Sequence, residues 1–394
     1  MPTANEAFRD ALIRHQIGLA RMAPGITAKV NALLSATEED IEDQIISREL
    51  KGLSTNRLNA TLKAIRSVRS DAWKKTGILW VKEMEDIAEH EAVFLDEVLN
   101  TVSPAVLNTT LPEPAKLRAL VATTPFEGEV MEDWVSRQQA GDIARIHQSI
   151  RIGLTQGESS RDIARRIIGT PQFHKTDGIM QITRNHADTI TRTAINAISN
   201  AAKQEYYGEN QDILGLEIFL ATLDARTTLV CAKNDKKRFP HGQGPIPPLH
   251  WRCRSLRLAT MNAEVIGMRP ARNFTEKMLL REFSSQRNIS APTKRSGLPR
   301  GMKTEYDKFA QRRMRELTGP VPASTSYQEW LMGQTSKVQD DILGPTRAKL
   351  FRSGEFTLDR FTNRAGDKLT LSQLKMRDRE AMVDALGAEA VEDL

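Results

Sequence analysis

The chain of 394 residues predicts a mainly α-helical protein with a small α+β domain, and three patterns carry that expectation. Apolar residues recur at three- and four-residue spacing through the first hundred positions and again from Gly178 to Asn210. Only "LGLEIFLATLDART", Leu214 to Thr227, changes period, into a short run rich in apolar and β-branched residues. An N-terminal helical region, a central domain with a small sheet packed on a long helix, and a short C-terminal helical region follow from that order. The expected boundaries are 1–140, 141–262, a basic linker or arm over 263–319, and 320–394.

In "SATEEDIEDQII", Thr37 stands where it can cap a helix whose first turn is acidic, which suits the helix dipole. The longest helix is expected to begin near Ser54, with Leu58, Leu62, Ile65 and Val68 on one stripe and Ile87, Phe94, Leu95 and Val98 continuing it. Trp73, Leu79 and Trp80 widen that stripe, as a bundle core requires. Pro104, Pro112, Pro114 and Pro125 then mark a connection with a short helix inside it. Helical signals resume near Trp134 and run to about Leu154. Gly157 closes that helix, Ser159 with Asp162 has the capping-box pattern for the next, and Gly169 and Pro171 stop it. The long helix that follows places Ile182, Ile190, Ala194, Ala197, Ile198 and Ala201 on one side, the alanines allowing close approach of a neighbour. The strand from Leu214 enters a turn at Asp224. "TGPVPAST" is expected to be a linker, and Ser326 with Glu329 opens a last region punctuated by Gly333, Gly344 and Gly354.

No stretch approaches the roughly 18–20 uncharged apolar residues of a membrane span, and "MPTANEAFRDALIRHQ" lacks the basic-then-apolar layout of a signal peptide. Synthesis in a cytoplasm is expected, where two cysteines build no disulfide framework. The net charge of +6 is unevenly spread. Arg269 to Arg315 holds thirteen Lys/Arg against four Asp/Glu, 13 − 4 = +9, which leaves −3 for the rest. Lys294, Arg295, Arg300, Lys303, Arg312, Arg313 and Arg315 are candidates to face DNA, since counterions released from phosphates favour binding. A solvated, partly disordered basic linker is the alternative.

"CAKNDKKRFPHGQGPIPPLHWRCRS", residues 231–255, holds both cysteines, two of seven histidines and four of seventeen prolines. Cys231, His241, His250 and Cys253 offer two sulfur and two nitrogen donors, a set that a structural zinc takes tetrahedrally, with Asp224 and Asp235 as alternative oxygen ligands. The spacing lacks paired C-x-x-C knuckles. Two alternatives therefore stand beside zinc: a hydrogen-bonded histidine over small buried thiols, and a Cys231–Cys253 disulfide. A metal-dependent nuclease or hydrolase would use Cys231, His250 and Cys253 with Asp235 or Glu205. The chain has no H-E-x-x-H, no G-x-x-x-x-G-K-[ST], no G-x-S-x-G and no H-x-E with P-C-x-x-C. A non-enzymatic role is expected, and no residue is assigned to catalysis.

The order of motifs is more specific than any one of them. "GLTQGESSRDIARRI", "TRTAINAISNAA", "LDARTTLVCAKNDKKRF" and "PPLHWRC" follow one another between about Ile150 and Leu258, and together they resemble the phage Mu F-like minor head protein family, also called the phage head morphogenesis family. In that resemblance Arg192 and Thr193 match an Arg-Thr pair, and Asp224, Arg226, Thr227 and Cys231 match a D-x-R-T…C run. Phe239 matches an aromatic, and Pro247, Pro248, His250, Cys253 and Arg254 match the closing motif. Ala194, Thr228 and Ser255 stand where the family usually has Glu, Cys and Cys, so two of its thiolates are missing. The tail "YQEWLMGQTSKVQDDILGPTRAKLFRSGEF" also looks like the region after this domain in such proteins. The resemblance implies a minor capsid or head morphogenesis protein of a tailed phage, placed in the virion at the capsid interior or portal vertex. Its implied partners are the portal protein and the major capsid or scaffold protein, with packaged double-stranded DNA or its ejection as a further role. Arg226, Arg252, Arg254 and Arg257 add positive charge around the loop.

Overall fold

A computed structural model describes residues 4–47, 54–103, 107–261, 268–322, 325–363 and 366–394, without the side chains of residues 268–270, 315, 319, 320 and 322. Two compact units interleave along the chain: 14–211 with 245–254, here the helical unit, and 1–13 with 212–244 and 255–394, here the mixed unit.

The helical unit takes most of α1 (Ala4–Ser35), then α2 (Glu38–Ile46), α3 (Thr55–Val102), α4 (Pro114–Thr123), α5 (Met131–Thr155), α6 (Ser160–Ile168) and α7 (Met180–Glu209). Helix α3 starts directly after Ser54, as expected. Its apolar stripe lies in two cores. Trp73, Trp80 and Ile87 pack with Leu117, Trp134, Ile190, Ala194 and Ile198. Leu62 and Ile65 pack with Ile41, Ile146, Ile150, Ile163 and Ile167. Each large apolar side chain so buried contributes about 1.5–3 kcal/mol. The two indole N–H groups are satisfied, Trp73 by Asp142 Oδ2 at 3.0 Å and Trp80 by Thr191 Oγ1 at 2.9 Å. Ser159 caps α6 by accepting from the Asp162 N–H, and Gly157 takes a left-handed φ of 71° after α5.

Two sequence expectations give way here. Thr37 occupies the N-cap position of α2, but its hydroxyl donates to Leu34 O and accepts from Arg69 instead of capping. Arg69 also takes Leu34 O at 2.7 Å, so this buried guanidinium holds both groups. Ile182 is 42% exposed, because the buried line of α7 begins with Met180, Thr183 and Ala187.

The mixed unit is built on β1 (Leu214–Leu220), flanked by β2 (Arg238–Phe239) and β3 (Leu256–Met261) in an antiparallel sheet of order β2-β1-β3. Glu217 faces Phe239 on one side and Ala259 on the other. The short α8 (Leu229–Ala232) lies between β1 and β2. Asn5 of α1 exchanges two hydrogen bonds with the Met261 backbone and so closes the end of β3. A second, two-stranded sheet pairs β4 (Met268–Arg272) with β5 (Thr318–Pro322), so the first part of the expected linker "TGPVPAST" is a strand. Between those strands α9 (Glu276–Gln286) and α10 (Lys303–Glu316) bury Leu279, Leu280, Phe283, Leu298, Tyr306 and Phe309 in a core of their own. The basic stretch is therefore folded where it is described, as strand β4, helices α9 and α10 and the turns between them. The chain ends in α11 (Tyr327–Met332), α12 (Ser336–Leu343), α13 (Pro345–Arg352), α14 (Leu371–Leu386) and α15 (Ala388–Glu392). Ser326 and Glu329 form a full capping box on α11. Among the described residues no helix is long and apolar enough to cross a membrane.

Candidate functional site

The Pro-rich closing motif belongs to the helical unit, where residues 245–254 dock on α5 and α7. The turn His250–Cys253 closes with the Cys253 N–H donating to His250 O at 3.1 Å. Its third residue, Arg252, has φ 57°, a left-handed conformation that costs a residue with a Cβ about 1–2 kcal/mol. Helix α7 offsets that cost at three points. Thr193 Oγ1 accepts from the Arg252 N–H at 2.9 Å, Thr189 Oγ1 accepts from Arg252 Nε at 3.0 Å, and Asp188 pairs with Arg252 Nη2 at 2.9 Å. Arg192 holds the same Asp188 at 2.8 Å from one turn further along. The Arg-Thr motif is thus a clamp: Thr193 fixes the loop backbone and Arg192 orients the carboxylate that fixes Arg252. On the other side Trp251 meets Trp134 edge-on at 4.9 Å and Phe126 at 6.5 Å, while Trp134 donates to Phe126 O.

Thr193→Val, which keeps the shape and removes the acceptor, should destabilise the protein by about 1–2 kcal/mol in a denaturant titration. Faster amide exchange confined to residues around Arg252 should accompany it. Unchanged exchange there would mean that Thr193 does not hold the loop.

The remaining motif residues lie in the mixed unit and are also engaged in holding shape. Asp224 Oδ1 accepts from the Arg226 N–H at 3.0 Å and Thr227 Oγ1 donates to Thr222 O, so D-x-R-T forms an aspartate-stabilised turn. Tyr327 OH donates to Asp224 O at 3.2 Å. Asp235 accepts from Ala221 N and Tyr327 N, both at 2.8 Å. Both carboxylates considered as oxygen ligands therefore accept backbone N–H groups. His241 Nδ1 lies 2.9 Å from Glu217 Oε1, and Glu217 Oε2 lies 3.0 Å from Arg257, a pair of fully buried side chains. Arg257 also donates to Gln243 O and stacks 4.8 Å over Phe239. Gly244, with φ 74°, approaches the same ring so closely that a Cβ would lie 2.2 Å from it. Phe239 is therefore held by both Arg257 and the backbone at Gly244.

Cys231 and Cys253 are buried and form no disulfide in this structure. Cys231 starts its burial in α8 of the mixed unit, whereas His250 and Cys253 share the turn in the helical unit. Burial opposes a charge on His250, but the hydrogen bond and charge of Cys253 and the Trp251 carbonyl outweigh it and raise its pKa.

Of the residues expected to face DNA, Arg295 is tied to Asp307 at 2.5 Å, Arg313 to Glu282 at 2.9 Å and Arg312 to Glu316 at 3.9 Å. Lys294 and Lys303 form no ion pair among the described residues, and neither does exposed Lys308, which the sequence reading did not single out. Arg300 is exposed, and the Arg315 side chain lies outside what is described.

Sequence reasoning also missed Asp188 and Glu217, and it named Arg257 only as positive charge around the loop. Asp188 was detectable as an i,i+4 partner of Arg192, and Glu217 as a carboxylate inside an apolar strand.

Residues 144–257 match the family described as phage Mu protein F-like protein. No curated protein and no solved structure matches the chain.

Proposed function

With a phage Mu protein F-like segment at 144–257 as premise, we propose that this chain is a minor capsid protein acting in the head assembly of a tailed phage, near the portal. The family suggests phage head morphogenesis, a role met by contacts with other head proteins. One observation supports the reading most: Arg192, Thr193, Asp224, Thr227 and Phe239 are engaged in fixing the shape of two loops. Loops rigidly held on a scaffold give a docking surface, as an assembly role requires. The portal protein and the major capsid or scaffold protein are the proposed partners, at the portal vertex or capsid interior.

Purified particles should contain the protein in a peptide mass-spectrometric census. Its absence, together with metal-stimulated DNA cleavage abolished by His250→Ala, would favour the nuclease alternative. The proposal keeps a structural zinc, for which His250 and Cys253 of the closing turn supply a nitrogen and a sulfur donor, while His241 is engaged by Glu217. Elemental analysis of the same purified chain should find zinc, and Cys253→Ser should lose it; a folded, metal-free chain would remove zinc from the proposal.

Packaged double-stranded DNA is the second proposed partner, through the α9–α10 segment. Replacing Lys294, Lys303 and Lys308 with alanine should flatten the dependence of duplex binding on salt by about 2–3 in log–log slope. A slope equal to that of the parent chain would remove this contact.

A further inference from the structure

Between α5 and α7, the helical unit carries a second set of functional groups that the loop clamp does not use. Arg145 is half-buried and donates to Thr183 Oγ1 at 3.1 Å, yet it forms no ion pair among the described residues. The cause is local. Asp142, the nearest acid in sequence, already accepts from Arg69 twice, from Trp73 and from Thr183. His186 lies next to Arg145 in the same strip, its Nδ1 2.9 Å from Gln138 Oε1, and burial together with the Arg145 charge lowers its pKa. At the other end of the strip stand Trp251, 36% exposed, on Trp134, and Arg252. Ile182 on α7 and Ile246 in the loop are exposed as well, at 42% and 37%.

The charges do not cancel. Arg137 is matched by Glu129, Arg192 and Arg252 share the single carboxylate of Asp188, and Arg145 feels only the charge of Asp142, which Arg69 already occupies. A surplus of cations among exposed apolar side chains, with a tryptophan and arginines at its end, has the composition of a protein-binding patch. A DNA duplex would use the cations and leave Trp251, Ile182 and Ile246 unmatched.

We infer that the α5–α7 strip, from Trp251 to Arg145, docks an acidic segment of a partner protein that also carries an apolar anchor. The spacing sets the ligand. Trp134 and Arg145 are eleven residues apart on α5, about 16 Å at 1.5 Å per residue. The segment therefore presents its apolar residue to Trp251 and, about 16 Å away, a carboxylate to Arg145, which takes about five extended residues or three helical turns. This names one surface for the head-protein contact proposed above and rests on that reading for its biological partner.

The test uses the full-length chain with a fluorescein-labelled peptide of alternating glutamate and leucine as probe. Arg145→Gln and Trp251→Ala lie at opposite ends of the strip and should each weaken binding about tenfold or more in variants that circular dichroism shows to be folded at the assay temperature. Wild-type affinity in both folded variants would overturn the inference. So would displacement of the peptide by a DNA duplex at equal charge concentration, which would mark a general polyanion surface, or equal binding of a lysine–leucine peptide. In particles, wild-type protein present and both variants depleted supports the inference; all three present at one level overturns it and leaves the assembly role standing. Wild-type protein absent from particles removes the assembly role, and the peptide titration then decides the surface alone.

Discussion

Lys203→Met should lower the unfolding free energy by about 3–5 kcal/mol, because it strands a carboxylate in the core of the helical unit. Lys203 and Glu91 are both fully buried, 2.9 Å apart, on α7 and α3. Lys203 also donates to Ser199 at 2.6 Å, and Glu91 meets His15 of α1 at 3.1 Å, where the ring stacks 3.7 Å from Phe94. Three helices thus meet on one carboxylate. Burial alone would raise the Glu91 pKa, but the charge of Lys203 and then His15 outweigh it and hold it below the ordinary carboxylate value. The sign for stability follows. A folded-state pKa below the unfolded one gives stabilisation that is present above the ordinary carboxylate range and is lost as pH falls through the folded value. Without Lys203 the carboxyl can take up a proton more readily, so the gap between variant and parent should narrow in urea titrations as pH is lowered. Lys203→Met with Glu91→Leu should recover most of the loss, since a buried pair replaced by apolar groups of similar volume is often neutral. A single-variant loss below about 1 kcal/mol, the range of exposed pairs, would mean that water reaches the site.

Such a cluster explains what the sequence could and could not reveal. The helices were legible because their signals are local: Ser54 before α3, Ser159 before α6 and Ser326 before α11 stand where caps belong. The change of period at Leu214 likewise marked β1. Thr37 failed as a cap because Arg69, thirty-two residues away, claims its hydroxyl, and no local rule contains that contact. The expected linker at Thr318 became a strand because β4, nearly fifty residues earlier, supplies its partner edge. The candidate site divides in the same way. Its motif residues could be found by their order, but their work as clamp and turn depends on Asp188, Trp134 and Tyr327, which sit on other elements. Charge counts over Arg269–Arg315 gave the sign of that segment and missed that acids within it and in α10 pair with Arg295, Arg312 and Arg313.

Asp142→Ala should also cost about 3–5 kcal/mol, for the complementary reason that it strands a cation. Asp142 on α5 accepts at Oδ2 from Arg69 Nε at 2.8 Å, Arg69 Nη2 at 2.5 Å and Trp73 Nε1 at 3.0 Å, and at Oδ1 from Thr183 Oγ1 at 2.6 Å. Arg69 is fully buried on α3, and Thr183 lies on α7, so one carboxylate joins the three helices that frame both cores. Its loss removes the acceptor of four donors at once. Asp142→Asn keeps the shape with one acceptor oxygen and no charge, and should fall between Asp142→Ala and the parent. Arg69→Met with Asp142→Leu should lie closer to the parent than Asp142→Ala does, although Leu34 O and Thr37 lose a donor in the exchange. The contrast with Thr193→Val tests how the unit is organised. If α5 and α7 are the frame and the closing loop is mounted on them, Asp142→Ala speeds amide exchange across α3, α5 and α7 together, whereas Thr193→Val speeds it around Arg252 alone. Equal, local effects of the two variants would mean that the Asp142 cluster supports only its own neighbourhood, and the loop would then need a source of rigidity other than these helices.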